Sequence, residues 1–229
     1  MSLTLVIGNK NYSSWSLRPW LAMKQAGLVF SEQRIVLQRP DTEQSIRRYS
    51  PSGRVPCLID GELTVFDSLA ICEYINESIS ESMSESTSTS MSKKVGGSLW
   101  PRDRAARAHA RSISAEMHSG FAALRTYMPM DIRARLSDRG TAALDREDVA
   151  ADVARIQSIW TECLTDGGPM LFGSFSIADA FYAPVVTRFI TYGVKLSPLL
   201  AAYAESVLML PPMQQWIAAA EAEAETIET

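Results

Sequence analysis

Residues Val55-Pro56-Cys57-Leu58-Ile59-Asp60-Gly61, followed by Asp67-Ser68-Leu69-Ala70-Ile71, constrain the fold of this chain more than any other stretch. An extended Val-Pro step leads into an apolar strand, an Asp-Gly pair marks a tight hairpin, and a second strand runs into a helix opened by Asp-Ser. A proline at the head of a strand has no N–H to give to a sheet, so the Val55 backbone is left able to offer its N–H and C=O to an extended peptide. The helix N-terminus after Asp67 presents unpaired N–H groups and the positive end of a dipole to that peptide's carboxylate. Together these residues describe a peptide-binding corner.

The corner closes a region that alternates in type. Leu3 to Ile7 reads as a buried strand, Trp15 to Ala26 as a helix ending at Gly27, and Phe30 to Val36 as a second strand, which makes a βαβ unit. Thr42 to Tyr49 predicts a short helix and Ser50-Pro51-Ser52-Gly53 a turn. Cys57 to Ile59 and Leu63 to Val65 form the hairpin, and Ser68 to Ser78 a closing helix. The order is therefore βαβ followed by αββα.

From Ser80 to Ser98 the composition collapses into Ser, Glu, Thr and Met with no hydrophobic period, as expected of an interdomain linker. Beyond Trp100-Pro101, residues Ala106, Ala110, Ile113, Met117, Phe121 and Leu124 fall on one face of a long amphipathic helix. Helical patterns continue at Asp145 to Thr165, Ser176 to Tyr192, Leu199 to Leu210 and Met213 to Glu225, separated by Gly- and Pro-bearing breaks. Ser176-Ile177-Ala178-Asp179 reads as a capping box with a structural role. The expected domains are 1–80, a Ser-rich linker at 81–98, and an all-helical half at 99–229.

Composition limits the partners. Among the 229 residues 46% are hydrophobic and 21% charged, an ordinary globular balance. The net charge of -4 argues against a general nucleic-acid or anionic-membrane surface. No apolar stretch reaches spanning length without a charge, and Leu3 to Ile7 is too short for a signal-peptide core, so the expectation is a cytoplasmic protein with a small-molecule partner. Cys57, Cys72 and Cys163 lack Cys-x-x-Cys spacing and read as buried small hydrophobes. His109 and His118 stand too far apart for one helical metal face, and no metal is expected.

The order of three segments, Ser50-Pro51-Ser52-Gly53-Arg54-Val55-Pro56-Cys57-Leu58, Asp67-Ser68-Leu69-Ala70-Ile71 and Ser176-Ile177-Ala178-Asp179, resembles the cytosolic glutathione transferase superfamily over nearly the whole chain. A fourth, Tyr12-Ser13-Ser14-Trp15-Ser16-Leu17-Arg18, is similar to the serine-bearing loop of the zeta class, but carries Trp15 where zeta members have Cys. The resemblance implies a thioredoxin-like N-terminal domain, an all-helical C-terminal domain, glutathione as cosubstrate, a small electrophilic second substrate and a homodimer. It also implies a cis bond at Pro56, whereas an X-Pro bond taken alone is cis in only about 5% of cases.

The chemistry so implied is thiolate formation. A thiol with a pKa near 8.5 is only about 3% ionised at pH 7, and lowering it by two units takes about 2.7 kcal/mol. A hydroxyl donating to the sulfur anion contributes roughly 1.5–3 kcal/mol and a helix N-terminus about 0.3–1. Ser14, then Ser13, are the candidates, since both precede a helix that begins near Trp15 with Pro19 in its first turn. Either serine can face the sulfur while the other caps the helix.

By the same resemblance Val55 and Pro56 hold the peptide backbone, Ser68 the γ-glutamyl carboxylate and Asp67 the amino group. Asp67 is one methylene shorter than the Glu more common there. Arg54 is a candidate to pair with the glycyl carboxylate, with a solvated turn residue as the alternative, and Asp67 and Ser68 also fit plain helix caps. The second substrate belongs against the long helix near Glu116, Met117, His118, Phe121 and Arg125, where Met117 and Phe121 also fit the core face and His118 is a candidate acid or base. Competing readings are a non-catalytic interaction or assembly protein on the same fold, a zeta-like glutathione-dependent isomerase, and a thiol oxidoreductase. The last is disfavoured because no Cys lies near positions 12 to 18.

Overall fold

The computed structural model describes residues 3–85, 98–164 and 167–227. The first part holds β1 (Leu3–Ile7), α1 (Ser14–Gln25), β2 (Phe30–Arg34), α2 (Thr42–Arg47), β3 (Cys57–Asp60), β4 (Leu63–Phe66) and α3 (Ser68–Glu85). The strands form one sheet in the order β2-β1-β3-β4, with β1 and β2 parallel and the other pairs antiparallel. This is the expected thioredoxin-like βαβ-αββα order.

Strand alternation divides the core. Leu5, Ile7 and Leu58 point into the large cluster shared with α1, α3 and the helical half, while Val6 and Cys57 point the other way, onto Ile35 and Ile46. That face of the sheet is covered by Ile46 of α2 together with Ile35, Leu37 and Tyr49 from the segments flanking it. The other carries α1, a helix buried nearly all round.

The second part contains α4 (Arg104–Ser119), α5 (Ala122–Tyr127), α6 (Ser137–Leu144), α7 (Glu147–Cys163), α8 (Ile177–Thr191), α9 (Pro198–Leu208) and α10 (Pro211–Glu221). Helix α8 is buried from Ile177 to Phe189 and packs on α1, α4 and α9, so it is the axis of the molecule. Its start is fixed by Asp179, whose carboxylate accepts from the Ser176 N–H (2.8 Å), the Ser176 hydroxyl (3.1 Å) and the Leu171 N–H (3.0 Å).

Several expectations are corrected here. Helix α3 continues to Glu85, so the first residues of the expected linker 81–98 are helical; the stretch 86–97 lies outside the described residues. The long helix after Pro101 is two helices, because Phe121 takes a left-handed conformation (φ 58°) between them. Helix α6 was not anticipated, being eight residues long with Gly140 inside it. Helix α1 begins at Ser14, which puts Pro19 in its second turn rather than its first.

Candidate functional site

The loop after β1 delivers α1 to the sheet. Asn9 accepts from the Leu37 N–H (2.8 Å), and Asn11 ties the loop to the helical half through Asp131 (2.7 Å) and the Arg133 N–H (3.0 Å). Across the sheet, the Gly53 N–H bonds to the Ser50 carbonyl in the expected turn, and the Val55-Pro56 bond is cis. The β3 ladder begins only at Cys57, leaving Val55 two residues outside it.

At the head of α3, Asp67 is a non-glycine residue with φ of 83°, held there by its own contacts. One carboxylate oxygen accepts from the Leu69 N–H at 2.8 Å, and the other lies 3.3 Å from His118 Nε2. Ser68 is fully buried, and its hydroxyl makes no hydrogen bond among the described residues.

These pieces enclose one cleft of about 510 Å³, lined by Trp15, Ser52, Arg54, Val55, Pro56, Phe66, Asp67, Ser68 and His118. The structure therefore brings together Arg54, Val55, Pro56, Asp67 and Ser68, with His118 across from them. Ser13 and Ser14 stand behind the lining, 5% and 4% exposed. The Ser13 hydroxyl donates to Ser16 Oγ (2.8 Å), which also accepts from the Gly8 N–H (3.1 Å). Ser14 Oγ instead accepts from the Arg188 guanidinium at 3.2 Å. The proton of Ser13 is committed; that of Ser14 is not engaged in any of these contacts.

The residues expected beside the second substrate divide. Met117 and Phe121 are core, and Glu116 turns away to pair with Arg155 at 2.8 Å. His118 lines the cleft, edge-on to Trp15 with ring centroids 5.3 Å apart. Burial lowers its pKa, with Arg18 and Arg125 pushing the same way and Asp67 opposing them, which favours the neutral ring. With Nε2–H facing the Asp67 carboxylate, Nδ1 carries the lone pair. Cys57, Cys72 and Cys163 are buried and unpaired, and burial raises the pKa of each thiol.

Sequence reasoning passed over Trp15 and Phe66 as lining residues, and Arg18 and Arg188 as buried cations. Arg18 had a signal, a charge amid the apolar run Leu17 to Met23. Arg188 had none before its partner was known.

Two family models cover most of the chain: Glutathione S-transferase, N-terminal domain, over residues 12–78, and Glutathione S-transferase, C-terminal domain, over residues 107–219. The crystal structure of a glutathione transferase homolog from Burkholderia gl BGR1, with bound glutathione, superposes with a TM-score of 0.70, covering 97% of this chain and all of that one at 23% identity. A dichloromethane dehalogenase of Methylorubrum extorquens is 42% identical over 57 residues, which are 24% of this chain and 20% of that protein. A probable maleylacetoacetate isomerase of Vibrio cholerae is 38% identical over 81 residues, 34% of this chain and 37% of that protein. The chain thus matches well under two thirds of either relative's length. Both family models fall on the two parts that enclose the cleft, and with them the chain belongs to the cytosolic glutathione transferase superfamily.

Proposed function

We propose that this protein binds glutathione in the cleft and ionises its thiol for attack on a small electrophile. The observation that carries this reading is the convergence of Arg54, Val55, Pro56, Asp67 and Ser68 on one 510 Å³ cleft at the head of α3. In it the Val55 backbone pairs with the cysteinyl unit, Ser68 and the N-terminus of α3 take the γ-glutamyl carboxylate, Asp67 the amino group and Arg54 the glycyl carboxylate. Asp67 is shared between that amino group and His118, which links peptide binding to the helical domain.

Ser14 is the preferred thiol-facing hydroxyl, ahead of Ser13. An Oγ that accepts from a guanidinium keeps its own proton for donation, whereas Ser13 has spent its proton on Ser16. The sulfur forms a bond to the electrophilic carbon, and the leaving group departs with the electron pair. A homodimer is part of the proposal.

A glutathione-dependent isomerase is the second reading, favoured by the match to the probable maleylacetoacetate isomerase. Trp15 at the cysteine position of the zeta-type loop counts against it.

The first test is thermal unfolding across a glutathione titration, with the S-methyl analogue alongside. Glutathione at a hundred times its dissociation constant should add about 2.7 kcal/mol, or roughly 5–11 °C for a chain of this size. Ser14→Ala should then lower turnover of an electrophile such as an aryl halide while leaving that shift in place. No shift up to high millimolar glutathione would move the reading to a non-catalytic protein.

A further inference from the structure

Asp67 is the one carboxylate among the described residues that line the cleft, and His118 the one lining side chain supplied by the helical half. The two meet at 3.3 Å. Oδ1 of Asp67 is occupied by the Leu69 N–H (2.8 Å) and the Ala70 N–H (3.5 Å), so Oδ2, the atom that faces His118 Nε2, is the one with capacity left for an incoming amine. The Asp67 side chain is 45% exposed, open to such a ligand.

Packing fixes the His118 ring. Trp15 stands edge-on to it with centroids 5.3 Å apart, and Phe181 is tilted against it at 6.2 Å. Nδ1, on the far side of the ring from Asp67, is buried and has no hydrogen-bond partner among the described residues. A neutral ring therefore donates its one N–H to Asp67 and leaves no donor unpaired. A protonated ring gains a second N–H with nothing to receive it, which is costly where water is excluded.

The charges around the ring make Asp67 its sole support in the protonated form. Arg18 from α1 and Arg125 from α5 both repel an imidazolium, and Glu116 on its own helix pairs with Arg155 instead. Arg18, Arg125 and Arg188 repel one another as well, and among the described residues no ion pair joins any of the three to a carboxylate. The Cys72 thiol of α3 stays neutral because burial drives its pKa up.

We infer that His118 controls the amino-group subsite of the cleft: as a neutral ring it steadies Asp67 for the peptide's ammonium, and as an imidazolium it takes Asp67 for itself and repels that ammonium. The inference rests on the proposed function, which gives Asp67 the amino group. His118 is a positioning residue, acting through Asp67 and not on the thiol. Proton and ammonium then exclude one another, so each weakens binding of the other by the same factor. Affinity for glutathione falls as the pH drops through the range in which His118 titrates, which burial and the two arginines place below the ordinary 6.5.

The probe is S-methyl glutathione, which has no thiol to titrate, measured beside a glutaryl analogue that lacks the amino group. The wild type should bind S-methyl glutathione about fivefold more weakly at pH 5 than at pH 7.5, and the glutaryl analogue less than about twofold more weakly. His118→Gln, which keeps an N–H for Asp67 but does not titrate, should hold the affinity of pH 7.5 and lose the dependence. Proton resonances of the imidazoles give a second reading, because the chain has two histidines. Saturation with S-methyl glutathione should lower the titration midpoint of His118 by about one unit and leave that of His109, about 13 Å away along α4, where it was. A pH-independent wild-type affinity, an equal loss for the glutaryl analogue or an unmoved His118 midpoint overturns the inference and leaves the function standing. If His118→Gln does not fold, the midpoint in the wild type decides. A wild type that fails to bind S-methyl glutathione at pH 7.5 removes the proposed function itself.

Discussion

Asp179 shows how one side chain can be legible in sequence while its energetics are not. Its place in a Ser-x-x-Asp box announces a helix start, and the structure puts it there, but fully buried and accepting from three groups. Burial outweighs those bonds and pushes its carboxyl up to about 6. A carboxyl raised above its unfolded value of about 3.9 binds more protons in the folded state, so stability from this group falls as pH rises between about 4 and 6. Asp179→Asn replaces one acceptor by a donor facing the Ser176 N–H and should cost about 1–3 kcal/mol at pH 7. Because only the wild type gains on acidification, the gap in melting temperature should widen from pH 7 towards pH 4; a constant gap would refute the assignment. Ser13 and Ser14 fall on the other side of legibility. Their neighbourhood in sequence is identical in kind, and they are told apart only by Ser16 on one and Arg188, 174 residues away, on the other.

At the scale of elements, periodicity found what was long and regular. The strands, α1 and α8 lie within a few residues of their expected bounds because each carries a strong local pattern. Composition misled at α3: a Ser-rich stretch without a hydrophobic period reads as linker, yet the helix that starts at Ser68 runs on to Glu85. The break in the long helix at Phe121 was passed over because its apolar spacing continues across the left-handed residue, although Gly120 just before it is a helix-ending residue. Helix α6 was missed because a glycine in eight residues reads as a loop. That glycine has a packing reason: a Cβ at Gly140 would lie 1.9 Å from the Tyr192 carbonyl oxygen, at the C-terminus of α8. Gly to Ala in a helix ordinarily gains up to about 1 kcal/mol. Here the clash is with backbone, which cannot swing away, and overpacking of about 1–3 kcal/mol should win. Gly140→Ala should therefore melt several degrees below wild type, and an equal or higher melting temperature would show that α6 moves freely.

At the scale of the whole molecule, the cleft is shaped by contacts between residues far apart in the chain. Glu223, beyond the end of α10, accepts from the Lys10 N–H (2.7 Å) and the Asn11 N–H (3.1 Å), and Trp216 donates to the Lys10 carbonyl (2.9 Å). The C-terminal segment thus clamps the loop that aims α1 at the cleft. Glu223→Ala strands two partly buried N–H groups, a cost of about 1–3 kcal/mol each before water relieves it. Faster hydrogen exchange at Lys10 and Asn11, with a lower melting temperature, is expected, and unchanged protection would mean the loop holds its shape unaided. The sequence alone determined the alternation of strands and helices, the helical second half and the strand–turn–helix corner around Pro56 and Asp67, because each rests on patterns closed within a few dozen residues. Only the tertiary structure decided which serine keeps its proton, where His118 points and that three arginines gather without a counter-ion. Those properties depend on burial and on the charges of distant segments, and no local pattern encodes the dielectric or the neighbours that a side chain will meet.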